Sequence, residues 1–154
     1  MNLPEIEISR FPYISRQSRK RPPLFDAGAS WLLQKATEDQ MSATRRILKT
    51  ADALLADEST WTIRSYALDA STHGCHPEYA QARRWCALGA IKYSIVRAYP
   101  AMRDVPTQSL YAQSRNRLSR ACNLLYGISS VSQVNDQLGF AAIKRAYAAA
   151  IASC

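Results

Sequence analysis

The sequence predicts an all-α fold, a compact bundle of four to five helices that carries an extended basic N-terminal arm. Apolar residues recur at the helical period in several separate stretches, and no strand-rich stretch opposes them. Pro4, Pro12, Pro22 and Pro23 crowd into the start of the chain, where each fixes φ and removes a backbone donor. These observations divide the 154 residues into an arm, 1–26, and a helical domain, 27–154.

The arm sets Arg10, Arg16, Arg19, Lys20 and Arg21 against Glu5 and Glu7, with a strand-like alternation at Ile6 and Ile8. Leu24, Phe25, Trp31, Leu32 and Leu33 are too apolar for a free linker. The chain is therefore expected to dock back onto the domain there and to begin a first helix over 27–39. A second helix shows the clearest amphipathic pattern. Ile47, Leu48, Ala51, Leu54 and Leu55 keep the helical period, Arg45, Arg46, Lys49 and Asp52 fall between them, and Ser42 or Thr44 supplies a cap.

Residues 57–76 read as polar and irregular, with a loop tip at Thr72 to His76 and Gly74 available for a positive φ. Pro77 suits a first helical position. From there Ala82, Cys86, Gly89, Ala90, Tyr93 and Val96 form one stripe that ends before Pro100. Gly89 in mid-helix costs about 1 kcal/mol against alanine, so it is expected to admit a neighbouring helix at close range. Thr107 caps a further helix that turns Leu110, Ser114, Leu118, Ala121, Cys122 and Leu125 inward and closes at Gly127. After a short polar piece from Ser129 to Gly139, a last helix runs from Phe140 to about Ala152. Its inward face is Phe140, Ile143, Tyr147, Ala150 and Ile151.

Hydrophobic residues make up 47% and charged residues 21%, a globular balance that excludes disordered and fibrous classes. No apolar run approaches the roughly 18–20 residues that span a bilayer, and the N-terminus lacks the apolar stretch of a secretory signal. A cytoplasmic location is expected. The net charge of +8 favours an anionic partner without choosing between nucleic acid, an anionic membrane surface and an acidic protein. Cys75, Cys86, Cys122 and Cys154 show no paired spacing, so no disulfide framework is expected.

Three features in order resemble a family of small helical bacterial and phage domains of unknown function, over residues 44–152. An opening helix, Ile47 to Leu55, ends just before Trp61. A Cys-small-Leu-Gly-Ala box stands at Cys86, Ala87, Leu88, Gly89 and Ala90. An Asn-Asp turn, Asn135 and Asp136 with Gly139 after it, precedes the last helix. The chain departs from the family pattern at Thr60, which stands where the family has glycine. It departs again in a final helix without an acidic first turn, and in the arm. The resemblance implies a helical fold and a mobile-element or accessory origin, and it implies no activity.

Two constellations carry possible chemistry. His73, Cys75, His76 and Cys86 hold zinc-type atoms, but adjacent Cys75 and His76 seldom aim at one ion, and a polar loop tip explains them better. Cys86 as nucleophile, with His73 or His76 as base and Asn135 or Asp136 as orienter, needs contacts that the sequence does not show. Core packing explains the cysteine and turn chemistry explains the Asn-Asp pair. No nucleotide-binding, zinc-protease or serine-hydrolase motif is present. No metal, cofactor or catalytic residue is therefore assigned.

The basic clusters are the candidate partner-binding residues: Arg10, Phe11, Tyr13, Arg16, Arg19, Lys20 and Arg21 in the arm, and Arg115, Arg117 and Arg120 on one helix. The expected function is a non-enzymatic binding or regulatory accessory protein that docks onto a macromolecular partner. Protein is weighed slightly above nucleic acid. The alternative is a small enzyme or metal protein with its site between the 60–76 loop, Cys86 and the Asn135–Asp136 turn. A closed apolar setting for Cys86 would favour the binding protein, and a polar cleft joining those segments would favour the enzyme.

Overall fold

The computed structural model of the chain describes residues 27–100 and 105–154, with the backbone alone for 27–33 and 105–106. The arm and its seven candidate residues, Arg10 to Arg21, lie outside the described residues, as do the side chains of Trp31 to Leu33.

Helix α1 runs unbroken from Ala27 to Leu54, where the sequence suggested two helices meeting near Ser42. Thr44 does not cap a helix start. It is buried within the helix, and its hydroxyl donates to the carbonyl of Gln40 at 2.9 Å. A threonine hydroxyl can make that bond one turn back without ending the helix, so its cap preference is not used here. The stripe Ile47, Leu48, Ala51 and Leu55 is fully buried, as its periodicity required.

Beyond the short 3₁₀ turn Glu58–Thr60 the chain forms a three-stranded antiparallel sheet, β1 Ala67–Leu68, β2 Gly74–Cys75 and β3 Arg84–Trp85, in the order β2-β1-β3. Ala67 pairs with both Cys75 and Trp85. The domain is therefore mainly helical with a small sheet, rather than all-α. Asp69 shapes the β1–β2 turn: one carboxylate oxygen accepts the N–H groups of Ser71 at 2.8 Å and His73 at 2.9 Å. Thr72, with φ of 65°, takes the left-handed position in this turn; Gly74 does not.

Helix α2 spans Ala87–Ala98 and begins ten residues after Pro77. Pro77 opens no helix; its carbonyl accepts the indole N–H of Trp85 at 2.9 Å. The inward face is Leu88, Ile91, Ser94 and Ile95, while Val96 is exposed. Helix α3 covers Val105–Tyr126, so Thr107 lies inside it and does not cap it. Leu110, Ser114, Leu118, Ala121 and Cys122 face inward as expected, whereas Leu125 is exposed. Gly127, with φ of 69°, closes the helix in the left-handed conformation.

The connector expected to be polar is helical. A short turn α4, Val131–Gln133, capped by the Ser130 hydroxyl, continues into a wider π turn at Val134–Leu138. Val131, Val134 and Asn135 are buried in it. Helix α5, Phe140–Ala152, then packs Ile143, Ala146, Tyr147 and Ala150 against α1 and α3. No helix among the described residues is long and apolar enough to cross a membrane.

Candidate functional site, a cleft at the start of α2

Three segments separated in sequence meet at the N-terminus of α2, and Asn135 joins them. Its side-chain oxygen accepts the indole N–H of Trp61 at 2.9 Å and the backbone N–H of Ala87 at 3.1 Å. Its amide nitrogen donates to the carbonyl of Thr62 at 3.0 Å and to a carboxylate oxygen of Asp136 at 2.9 Å. The same Asp136 oxygen accepts the N–H of Arg64 at 3.1 Å. Asn135 is 1% exposed, so its side chain sits away from water, where a missing partner would be costly. The π turn positions the side chain for this role, because its extra residue swings position 135 inward next to Val134.

Cys86 is the N-cap of α2, not a residue inside it. Its Sγ accepts the N–H of Gly89 at 3.4 Å, one of the donors that a helix start leaves free. Burial pushes the thiol above its usual range, against the pull of the Gly89 and Leu88 N–H groups. Gly89 is tight, but not against a helix. A Cβ there would lie 1.9 Å from the carbonyl oxygen of Tyr66, which also accepts the N–H of Cys86 at 3.1 Å. The glycine thus lets the strand-side loop, rather than a helix, pass directly over the start of α2. Tyr147 completes the junction from below, donating to the carbonyl of Ala87 at 2.7 Å, and its burial raises its own hydroxyl well above the normal tyrosine value.

Above this junction opens a cleft of about 210 Å³, bordered by Arg64, Ser65, Tyr66, Cys86, Ser132 and Asp136. Of the larger apolar side chains that border it, Tyr66 is 45% exposed and Leu88 and Val131 are buried. Lys92 lies over the Tyr66 ring, 4.1 Å from its centroid, in a cation–π contact. Arg64 takes a positive φ of 60°, an uncommon conformation for a residue other than glycine.

The structure brings together the segments named for the alternative site, the 60–76 loop, Cys86 and Asn135–Asp136. It does not bring the histidines. His73 and His76 are exposed beside Asp69 and Glu78, and neither borders the cleft. Among the described residues, no three His, Cys, Asp or Glu side chains gather as metal ligands would. Asn135 cannot orient a base, since each of its polar atoms is already bonded within the protein.

Arg115, Arg117 and Arg120 are not one cluster. Five residues along a helix turn it by about 140°, which carries Arg115 and Arg120 to different sides. Arg117 and Arg120 border a groove between α1 and α3, and Arg117 also donates to the carbonyl of Ser153 at 2.9 Å. Arg115 faces the side of Tyr111.

Arg64 and Tyr66 carry no signal in the sequence, since no motif or period marks them. Trp61 and Asn135 were each visible as part of a motif, but their contact across the chain was not. Searches among curated proteins and among solved structures return no match. A family model matches residues 40–153, nearly the whole described domain and almost the same span as the resemblance read from the Trp61, Cys86–Ala90 and Asn135–Asp136 features. The chain belongs to the family of unknown function DUF6197.

Proposed function

We infer that this is a non-enzymatic binding or regulatory accessory protein, and that it takes a protein partner at the cleft over the start of α2. The observation that carries this reading is the composition of the site: the exposed aromatic Tyr66 and the buried aliphatic Leu88 and Val131 stand beside the polar side chains of Arg64, Ser132 and Asp136. An exposed aromatic ring beside aliphatic and polar groups suits a protein side chain or a short peptide segment. The volume of about 210 Å³ suits one inserted side chain better than a cofactor. The basic arm, residues 1–26, supplies a further contact by its charge. A bacterial or phage setting and a cytoplasmic location go with this reading.

A second reading, a cysteine-based enzyme, is favoured by one observation: the polar cleft that joins the three segments has the Cys86 thiol in its wall. The chemistry of that thiol speaks against it. Burial keeps the thiol protonated, and no histidine borders the cleft to take its proton.

Affinity purification of the tagged full chain from its native host tests the binding reading. A partner protein recovered with the unsubstituted chain should be lost with Tyr66→Ala and with Arg64→Glu, while thermal unfolding of both variants stays near that of the parent. A partner retained by both variants would refute the cleft as its site.

A further inference from the structure

We propose that the groove between α1 and α3 binds a nucleic-acid strand through its sugar–phosphate backbone, on a face separate from the cleft and independent of it. The groove measures about 260 Å³. Thr37, Gln40 and Thr44 border it on α1, facing Gln113, Asn116 and the two arginines 117 and 120 on α3. Among the described residues that border it, Met41 is the one apolar side chain and none is a carboxylate.

Three features select the ligand class. The first is charge: α3 carries three arginines and no acidic residue, and Arg120 is exposed and makes no hydrogen bond or ion pair among the described residues. Glu38, next to Thr37 on α1, accepts from the Gln34 side chain at 3.2 Å and does not border the groove. The second is the donor set. Arginine, amide and hydroxyl groups in a row are the side chains that bond phosphate and sugar oxygens. The third is the small apolar share: among the described residues that border the groove only Met41 is apolar, whereas a protein partner needs buried aromatic or aliphatic anchors.

The groove does not end at Arg120. A second depression borders the same arginine and continues along Ser119, Asn123 and Ser129, with the exposed Leu124 as its one apolar member among the described residues. From Gln113 to Asn123 the helix advances about 15 Å, enough for two or three successive phosphates. Thr44 sets the width at the closed end, where its hydroxyl meets the Gln113 side chain at 3.2 Å.

The test compares two substitutions of equal charge in the full chain. Arg120→Gln removes the unpaired guanidinium from the groove, and Arg115→Gln removes one from the other side of the same helix. Binding of a fluorescein-labelled single-stranded DNA 20-mer is followed by anisotropy between 50 and 200 mM salt. Arg120→Gln should weaken binding several-fold and lower the slope of log affinity against log salt by about one, while Arg115→Gln leaves both close to the parent. Equal losses in the two variants would overturn the proposal, because general charge would then explain the binding. So would an absence of binding by the parent chain, or equal competition by a polyglutamate peptide.

Discussion

Asn135 bonds four groups drawn from three parts of the chain, and its removal should cost more than any other single polar change in the domain. Asn135→Ala leaves the Trp61 indole N–H, the Ala87 N–H and the Thr62 carbonyl without their partner. At about 1–3 kcal/mol for each buried unpaired group, a loss of roughly 3 kcal/mol or more is expected in chemical denaturation. Gly89→Ala tests the neighbouring contact. A Cβ 1.9 Å from the Tyr66 carbonyl must displace backbone, not a side-chain tip, so the loss should reach or exceed the roughly 1–3 kcal/mol of ordinary overpacking. Unchanged stability in either variant would mean that the junction is not tight.

The thiol of Cys86 gives a pH test at the same scale. Its pKa is raised in the folded state by burial, so the folded protein holds the proton where the unfolded chain has released it. Its contribution to stability is full below the usual thiol value of about 8.5 and is lost as pH rises beyond it. Iodoacetamide should therefore modify Cys86 slowly at pH 7.5, with the rate rising only above the ordinary thiol range. Rapid modification at pH 7 would move the weight to the enzyme reading. Gly89 was legible as a close approach, yet what approaches was not. Sequence spacing tells that a side chain is missing and does not tell which distant backbone fills the gap.

At the scale of elements, α1 makes the sharpest test of helix continuity. Were a helix to start at Ser42, residue 43 would be its first position and would accept proline without loss. In a helix continuous from Ala27 to Leu54, Ala43→Pro removes an interior hydrogen bond and should cost about 3 kcal/mol. Circular dichroism and thermal unfolding would read this directly, and a variant as stable as the parent would restore the two-helix division. The periodic stretches of α3 and α5 were legible because their apolar stripes repeat over about three turns or more, and that of α1, from Ile47 to Leu55, because it repeats over more than two. The sheet was not, because strands of two residues are too short to show alternation. The start of α2 was misplaced for a related reason. Ala82 and Cys86 fit the helical period by chance: Ala82 is buried in the turn before β3, and Cys86 accepts from the helix as its cap.

At the scale of the whole molecule, the small sheet and the π turn have one shared effect. They hold Arg64 to Tyr66 and Asn135 to Asp136 over the first turn of α2, and so build a cleft at one edge of a helical domain. The groove between α1 and α3 lies elsewhere, bordered by none of the cleft residues. Of this arrangement the sequence showed the segments and the basic residues. It did not show the grouping, which depends on hydrogen bonds spanning more than seventy residues, as between Trp61 and Asn135. Partner binding at the cleft is tested most directly by photo-cross-linking in the native host, with a benzoylphenylalanine residue placed at position 66 and, as a comparison, at position 79, where Tyr79 is also exposed but lies off the cleft. A discrete cross-linked protein species from position 66 and none from position 79 is the expected result. Cross-linking from position 79 alone, or from neither position in cells that express the folded chain, would contradict a protein partner at the cleft.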